Sequence, residues 1–594
     1  MSAKLISKND LKKAIKIKGI PGDLAALFLM SVLGLNKINK KYAGIAHLSG
    51  REFTAAALKT MNINYDFPEK TLDYIPQEGP FILVSNHPTG IADGLLLLHI
   101  ASSIRPDIKF MANFLIEQIP NIREFIISVN PFESNKNWKS SYSGVRASTD
   151  YISSGGGLVI FPSGEVATSY NAGPVRDKKW NTSALKLIKN AKVPVIPVYI
   201  HGTNSNFFHW VGKIHPLLRT IRLPKELTNK SGKTFSLRFG KTILPNEAAE
   251  FKDALEFGKY LRSRCYALEA NIVLPSSHQF PNELTRIALP KNSRLMQKEI
   301  KSLDQKNCLF TTGNYSCYLA DSKNIPLLLH ELGRKREEAF RAVGEGTNKS
   351  LDIDTFDTYY KHLLLWDNHK FKLVGAYRLG IGSEIMSSYG VKGFYTQTLY
   401  NYEKQMSELL VKSIELGRSF VSLEYQKEAL PLMLLIKGLL FSVLKYPEVQ
   451  YLLGPVSISS WYPKFYRSLM TYYISHTHSD AAISRLIRPN NPFFPDYLRS
   501  SADDLLRYKM ESVEKFDRFL LRISDNEYRL PTLVKKYIKI GAKIVTYNVD
   551  PDFNYSLDGY VLLNLKDVPE HELRSLAKDE KNFDEVLKRF GKGS

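Results

Sequence analysis

Short apolar runs recur along the first half of the chain, at Gly79–Val84, Ile108–Met111, Gly157–Phe161, Val193–His201 and Thr234–Phe239. Stretches with helical spacing of apolar positions separate them. Runs this short, bounded by Gly, Pro and polar residues, predict strands, and their alternation with helices predicts an α/β domain with a mainly parallel sheet. The pattern breaks at Leu274-Pro275-Ser276-Ser277-His278-Gln279-Phe280-Pro281, which reads as a linker. It resumes beyond Lys301, with strands expected at Leu373–Leu379, Ser419–Tyr425 and Tyr451–Ser457. The fold class is therefore α/β in two domains: a segment over 1–42, a domain over 43–274, a linker over 275–300, and a second αβ domain over 301–594 with a charged tail after Ala577.

Two longer apolar runs modify this picture. Leu430–Leu444 is interrupted by Pro431 and Lys437 and reads as a core helix. Leu24–Leu33 has Lys4, Lys8, Lys12, Lys13, Lys16 and Lys18 before it and Lys37, Lys40 and Lys41 after it. That order suits a helix lying in a membrane interface, and equally an amphipathic helix packed on the core. No run reaches the roughly 20 apolar residues of a membrane-spanning helix.

The 594 residues carry 81 Lys and Arg against 59 Asp and Glu, a net charge of +22. This excess points to an anionic partner: a nucleic acid, an anionic membrane surface or an acidic carrier protein. Dispersed basic residues, no zinc-ligand spacing and no RNA-binding aromatic signature argue against nucleic acid. Cys265, Cys308 and Cys317 show no metal or disulfide pattern and fit a reducing cytosol. No metal and no bound cofactor is expected.

Directly after the first apolar run stands Ser85-Asn86-His87-Pro88-Thr89-Gly90-Ile91-Ala92-Asp93-Gly94. An imidazole that removes a proton from a hydroxyl, with a carboxylate that fixes its tautomer, is what acyl transfer to an alcohol requires. The same run also reads as a turn in which Asp93 caps the next helix. Three further pieces follow in order: Ile127-Ser128-Val129-Asn130-Pro131-Phe132-Glu133, then Phe161-Pro162-Ser163-Gly164-Glu165, then Val193-Pro194-Val195-Ile196-Pro197-Val198.

In this order and spacing the four pieces resemble the lysophospholipid acyltransferase family over roughly 200 residues. The resemblance implies His87 as base, Asp93 as its orienter, and Asn86, Phe161, Pro162, Ser163, Gly164 and Glu165 as acceptor-binding residues. Amides after Gly164 are expected to stabilise an oxyanion. The chain departs from that pattern twice. Five residues separate His87 from Asp93 where the family has four, and Gly90 is the residue expected to absorb the extra one. The family's Phe-Pro-Glu-Gly-Thr-Arg turn has become Phe-Pro-Ser-Gly-Glu-Val, losing the phosphate-holding Arg; Lys136 and Arg146 are the candidate stand-ins.

In the second domain Gly333-Arg334-Lys335-Arg336-Glu337-Glu338-Ala339-Phe340-Arg341 precedes Asp352-Ile353-Asp354-Thr355-Phe356-Asp357. The strand around Arg378 and then Glu415-Leu416-Gly417-Arg418 follow. This looks like the haemolysin-like ornithine N-acyltransferase branch of the GNAT-like fold, related to acyl-homoserine-lactone synthases. The resemblance implies two parallel strands that splay around the donor's pantetheine arm. It makes Glu415 the catalytic residue, with Asp357 as an alternative proton acceptor, and Arg336, Phe340, Asp354, Asp357, Arg378 and Arg418 substrate-binding. Read from the residues alone, Glu415 and Arg418 are equally an i,i+3 helix pair, and Asp354 and Asp357 a capping cluster. The missing Gln/Arg-x-x-Gly-x-Gly loop favours acyl carrier protein over coenzyme A as donor carrier.

The whole chain resembles the bifunctional ornithine-lipid synthases of bacteria. The expected reactions are N-acylation of an amino acid (ornithine or glycine) with a 3-hydroxyacyl thioester, then O-acylation of the new 3-hydroxyl. The expected place is the cytoplasmic side, peripheral on the inner face of the cell membrane. The rival readings are a glycerophospholipid acyltransferase with an inert GNAT-like domain, an acyl-lactone signal synthase, and a non-enzymatic basic membrane binder.

Overall fold

The computed structural model describes residues 4–5, 7–8, 12, 19–129, 138–169, 175–214, 216–273, 284–303, 305–496, 512–524, 526–577 and 583–592. Asn130, Pro131, Phe132, Glu133, Lys136 and the linker run 274–283 lie outside them. The chain forms two compact units. The first gathers the described residues of Met1–Val273 and Arg518–Tyr528; the second gathers those of Leu274–Asp496, Ser512–Asp517 and Arg529–Ser594. The 301–594 boundary read from the sequence puts Arg518–Tyr528 in the second domain. Packing puts this stretch in the first unit, where the Phe519 ring lies 6.3 Å from that of Tyr260.

The first unit is built on β1 (Asn64–Asp66), β2 (Phe81–Ser85), β3 (Lys109–Asn113), β4 (Ile126–Val129), β5 (Gly157–Ile160), β8 (Val195–His201) and β9 (Thr234–Phe239), in the order β1-β9-β8-β2-β5-β3-β4. A short hairpin of β6 (Thr168–Ser169) and β7 (Val175–Arg176) stands apart. All pairings in the main sheet are parallel except β8 with β9. β2 is buried at every position and central, so its apolar run is uninterrupted. It pairs with β5 from Phe81↔Gly157 to Val84↔Ile160 and with β8 from Ile82↔Val195 to Ser85↔Val198. Two of the sequence motifs therefore meet because the adjacent parallel strands β2 and β5 end on the same side of the sheet, the usual place for a ligand, while Val195–Val198 form the buried neighbouring strand β8.

Helices cover this sheet. α1 (Gly19–Val32) and α2 (Leu35–Ala43) lead in, and α3 (Ile91–Ala101) follows the dyad loop. α4 (Asn206–Ile214) and α5 (Pro216–Thr228) form a pair, and α6 (Ala254–Ala267) closes the unit. Leu96, Leu97 and Leu98 of α3 pack with Leu83, Val159 and Ile196 of the sheet in one buried cluster.

The second unit holds β10 (Cys308–Thr312), β11 (Tyr315–Asp321), β12 (Lys361–Asp367), β13 (Lys372–Ile381), β15 (Ser413–Val421), β16 (Tyr451–Ile458), β18 (Lys543–Asp550) and β19 (Ser556–Asn564). Their order is β10-β11-β12-β13-β15-β16-β19-β18, with β14 (Tyr400–Tyr402) and β17 (Ile487–Pro489) as a separate pair. Helix α7 (Pro326–Arg341) packs on one face through Leu328, Leu332 and Ala339 against Leu364, Trp366, Ala376 and Phe420. On the other face lies α8 (Leu430–Leu444), the core helix expected from its apolar run, with Gly438 set against Cys317 and Leu363. α9 (Thr532–Lys539) precedes β18.

β15 and β16 are the only parallel neighbours in this sheet among the described residues, and they pair only over Ser413–Glu415 with Tyr451–Leu453. Both strands continue well past that point, so they part as a fork. A bulge helps to part them. Two residues of β15, Arg418 and Ser419, face the single Tyr377 of β13, and Arg418 takes a left-handed φ of 49°. At the apex a Cβ on Gly454 would stand 2.0 Å from the Leu416 carbonyl oxygen, so only glycine fits. The strand expected at Ser419–Tyr425 thus begins six residues earlier, and Glu415 and Arg418 are strand residues, not a helix pair.

Candidate acyl-transfer sites

His87 and Asp93 form a close pair despite their five-residue interval. Imidazole Nδ1 lies 3.0 Å from Asp93 Oδ2, with the His side chain 18% exposed and the Asp side chain 0%. Gly90, at φ 89°, turns the loop and absorbs the extra residue. The ring N–H is not well lined up with the oxygen, leaving Nδ1 without a full hydrogen bond. Catalytic contacts of this kind commonly tighten when substrate seats. Asp93 is held by three donors: Thr89 N–H at 2.8 Å, Gly90 N–H at 2.8 Å and Thr89 Oγ1–H at 2.5 Å. It therefore caps α3 and faces His87 at once, so the two sequence readings of this acid are one structure.

Phe161, the first residue after β5, stacks on the His87 ring at 4.1 Å between centroids and 26° between planes. Gly164 N–H donates to Phe161 O at 3.0 Å and closes the turn, with Gly164 at φ 67°. Ser163 Oγ donates to Glu165 O at 2.7 Å, Pro162 O accepts from Asn181 N–H at 2.7 Å, and Glu165 meets Lys178 Nζ at 2.6 Å. Of the amides after Gly164, that of Ala167 is already donated to His87 O at 2.8 Å. Val166, standing where the family has its Arg, is buried beside Gly90 and Leu223. Arg146 is exposed and lies 3.9 Å from Asp150 in an i,i+4 pair.

Asn86 departs from its expected place. Its Nδ2 donates to Ile200 O at 2.9 Å and its Oδ1 accepts from Ile200 N–H at 2.7 Å, so both ends of the amide lock β2 to β8. Sequence reasoning missed Asp177. It is buried, accepts from the His87 backbone N–H at 3.1 Å and from Trp180 Nε1 at 3.0 Å, and burial pushes its carboxyl up. No local pattern marks it, 90 positions from His87.

The second unit gathers its expected residues into one buried web on the α7 face. Arg336 Nη1 donates to Asp357 Oδ1 at 2.6 Å; Arg378 Nη1 donates to Asp354 Oδ1 at 2.5 Å and Asp357 Oδ2 at 3.1 Å. Arg418 meets Asp352 at 3.0 Å and Asp354 at 3.6 Å, and its Nη1 donates to the Tyr395 hydroxyl at 3.2 Å. The Arg378 guanidinium also faces the rings of Phe356, Tyr360 and Tyr395 at 5.6, 5.3 and 5.2 Å. Asp354 and Asp357 form a reciprocal capping box as well as these ion pairs. Burial acts to raise the Asp357 carboxyl, but Arg336 and Arg378 outweigh it and hold the group well below the usual range. Phe340 stacks edge-on with Phe553 at 5.0 Å, beside the web, not within it.

Glu415 sits at the last paired rung of the fork, 1% exposed. Its oxygens accept from Tyr395 N–H at 2.9 Å, Thr396 N–H at 2.7 Å and the Tyr360 hydroxyl. Burial pushes its carboxyl up. Beyond the apex, on the same face, lie three acids that sequence reasoning missed. Ser457 on β16 is paired with Asp558 on β19 and donates to Glu345 at 3.0 Å; Asp550 and Ser556 are cross-strand partners. None of Glu345, Asp550 and Asp558 has a cation within 4 Å among the described residues. Burial pushes Glu345 up to about 7 and raises Asp550 and Asp558.

On the opposite face of the fork lies an apolar pocket of about 410 Å³ including its mouth, lined by Leu416, Leu452, Gly454, Leu439, Tyr537 and Val561 among others. Its lining is apolar, which suits an acyl chain. The fork thus has an apolar slot on one face and a cluster of buried acids on the other.

Comparison with known proteins agrees with this division. Residues 12–273 match the acyltransferase family model, and residues 336–436 match the model of the acetyltransferase (GNAT) domain. A glycine N(alpha)-acyltransferase of Bacteroides thetaiotaomicron is 29% identical over 285 residues, covering 46% of this chain and 83% of its own length. Its counterpart in Phocaeicola vulgatus is 28% identical, covering 46% and 86%. A lyso-glycine lipid O-acyltransferase of Bacteroides thetaiotaomicron is 25% identical over 226 residues, covering 37% of this chain and 80% of its own. The chain is an enzyme of the acyltransferase class. It carries an N-terminal acyltransferase domain followed by a C-terminal GNAT domain.

Proposed function

We propose that this chain makes a diacylated amino-acid lipid in two steps. In the GNAT unit the amine nitrogen attacks the carbonyl carbon of a 3-hydroxyacyl thioester; the C–N bond forms, the C–S bond breaks, and the amine proton ends on the departing thiolate. The acyl chain lies in the Leu416–Leu452 pocket and the amino acid enters from the acid-rich face. Arg378 and Arg418 orient its carboxylate. Asp357 is too strongly held by its two guanidinium partners to take the proton; Glu345 and Glu415, both raised by burial, are suited to it. In the acyltransferase unit His87 then takes the proton of the new 3-hydroxyl, Asp93 steadies the imidazolium, and the alkoxide attacks a second acyl thioester with loss of thiol.

The observation that carries this reading is the presence, on one chain, of two acyltransferase domains similar to relatives whose names describe the two successive reactions. Those names point to glycine as the amino acid. The sequence motifs point to the ornithine branch, and the product's mass separates the two. Buried Val166 in place of an Arg supports an acceptor without phosphate, against a glycerophospholipid acyltransferase. Acyl carrier protein is the proposed donor carrier, its acidity matching the net charge of +22. The proposed place of action is the cytoplasmic face of a membrane.

Expression in a bacterial host that lacks such lipids, followed by mass spectrometry of the extract, tests this. A new lipid with one amino acid, one amide-linked and one ester-linked chain is expected. A ninhydrin-reactive product means ornithine, whose second amine stays free. An extract with new phosphatidate-type lipids and no amino-acid lipid contradicts the proposal.

A further inference from the structure

The helices over the His87–Asp93 loop carry two exposed apolar rows. On α1, Leu24, Leu27 and Phe28 are 63, 51 and 67% exposed, at i, i+3 and i+4 on one side. On α4, Phe207 and Trp210 are 50 and 56% exposed, their rings 5.7 Å apart. α1 packs on α2, α2 on α5 and α5 on α4, so both rows belong to one continuous layer. Solvent-facing clusters of Leu, Phe and Trp at helical spacing mark an interaction surface.

The layer's charge is one-sided. Among the described side chains its four helices hold five Lys and Arg, three in α2 and two in α5, against two acids. Both acids are occupied: Asp23 is 2.9 Å from both Lys8 and Lys12, and buried Glu226 accepts from Ser205 Oγ at 2.7 Å. Lys37 and Lys40 are exposed, and the Arg222 guanidinium lies 4.2 Å from the centre of the Phe207 ring. The same layer adjoins the dyad loop. Leu223 of α5 lies against Gly90, and Asn204, just before α4, donates to Thr89 O at 3.4 Å.

We propose that the acyltransferase unit docks on an anionic phospholipid bilayer through this layer, seating Leu24, Leu27 and Phe28 together with Phe207 and Trp210 at the headgroup boundary. The intervening bases meet lipid phosphates, and the dyad loop is held beside the surface from which a lyso-lipid arrives. A second copy of the chain is a poor occupant, because joining two such layers would set positive charge against positive charge. The interface needs no transmembrane segment, and no helix among the described residues is long and apolar enough to be one.

Vesicle flotation with the full chain tests this without any turnover, so its outcome is independent of the lipid product. Wild type is expected to float with phosphatidylglycerol-containing vesicles, weakly with pure phosphatidylcholine, and less as salt rises. Trp210 fluorescence should be quenched by brominated lipid, and Trp210→Phe should remove that quenching. The double variant Phe207→Ser/Trp210→Ser changes only half-exposed side chains and should float roughly tenfold less. Unchanged flotation of that variant, no quenching at Trp210, or equal affinity for neutral vesicles would overturn the proposal, as would a salt-resistant dimer that the double variant abolishes.

Discussion

On the proposed reactions the two candidate sites meet one demand, deprotonating a nucleophile beside a thioester, with opposite architectures. The His87–Asp93 pair is local: seven consecutive positions between a central strand and a helix, with the acid held by backbone amides and the base left partly open. The GNAT site is distributed. Arg336, Asp357, Arg378, Glu415 and Arg418 come from four elements, each acid bound to a guanidinium or to amides. The difference predicts separable failures: loss of chemistry in the first unit, and loss of folding along with chemistry in the second.

The largest expected effect is His87→Ala. Removing this proposed general base should lower O-acylation by about 10²- to 10⁴-fold while leaving N-acylation intact, read as product ratios by mass spectrometry. Next, Arg378→Met should cost about 3 kcal/mol in urea unfolding, because it removes one of the two cations that each of Asp354 and Asp357 meets, Arg418 and Arg336 remaining. An Arg378→Met protein as stable as wild type would break the contrast between the sites.

Glu345 offers a pH test. Its folded carboxyl, at about 7, lies above its ordinary value of 4.5, so the folded state resists ionisation more than the unfolded chain. Stability from this group is therefore present at low pH and is lost as pH rises between the two values, by about 3 kcal/mol in all. Glu345→Gln should unfold at nearly the wild-type urea concentration at pH 4.5 and at a clearly higher one at pH 8. The smallest effect is expected from Asn86→Ala, about 1–3 kcal/mol from two lost bonds to Ile200. Its KM for the acyl acceptor should not change, since the amide serves the sheet.

How legible each site was follows from the same contrast. The dyad could be read because an uninterrupted apolar strand, a Gly-bearing turn and a helix start frame it within a few residues. Its five-residue interval was resolved only by the φ of Gly90. The fork was harder. Ile414-Glu415-Leu416-Gly417-Arg418 reads as polar when its burial is unknown, so the sequence pattern starts the strand six residues late. Asp558 escaped notice although it interrupts the otherwise apolar run Leu557–Leu563, and that interruption was the available signal. Asp177 and Glu345 lie in loops and are fixed by tertiary packing alone.

On the proposed route one chain performs the two transfers in sequence. The direct measurement is mass spectrometry of products formed by purified wild-type and His87→Ala protein, given the amino acid and acyl thioesters on carrier protein. Diacylated lipid is expected from wild type, and an accumulating N-acylated, 3-hydroxyl-bearing intermediate from His87→Ala. Undiminished diacylated product from His87→Ala, or no N-acylated amino acid from either protein, would contradict the proposed route.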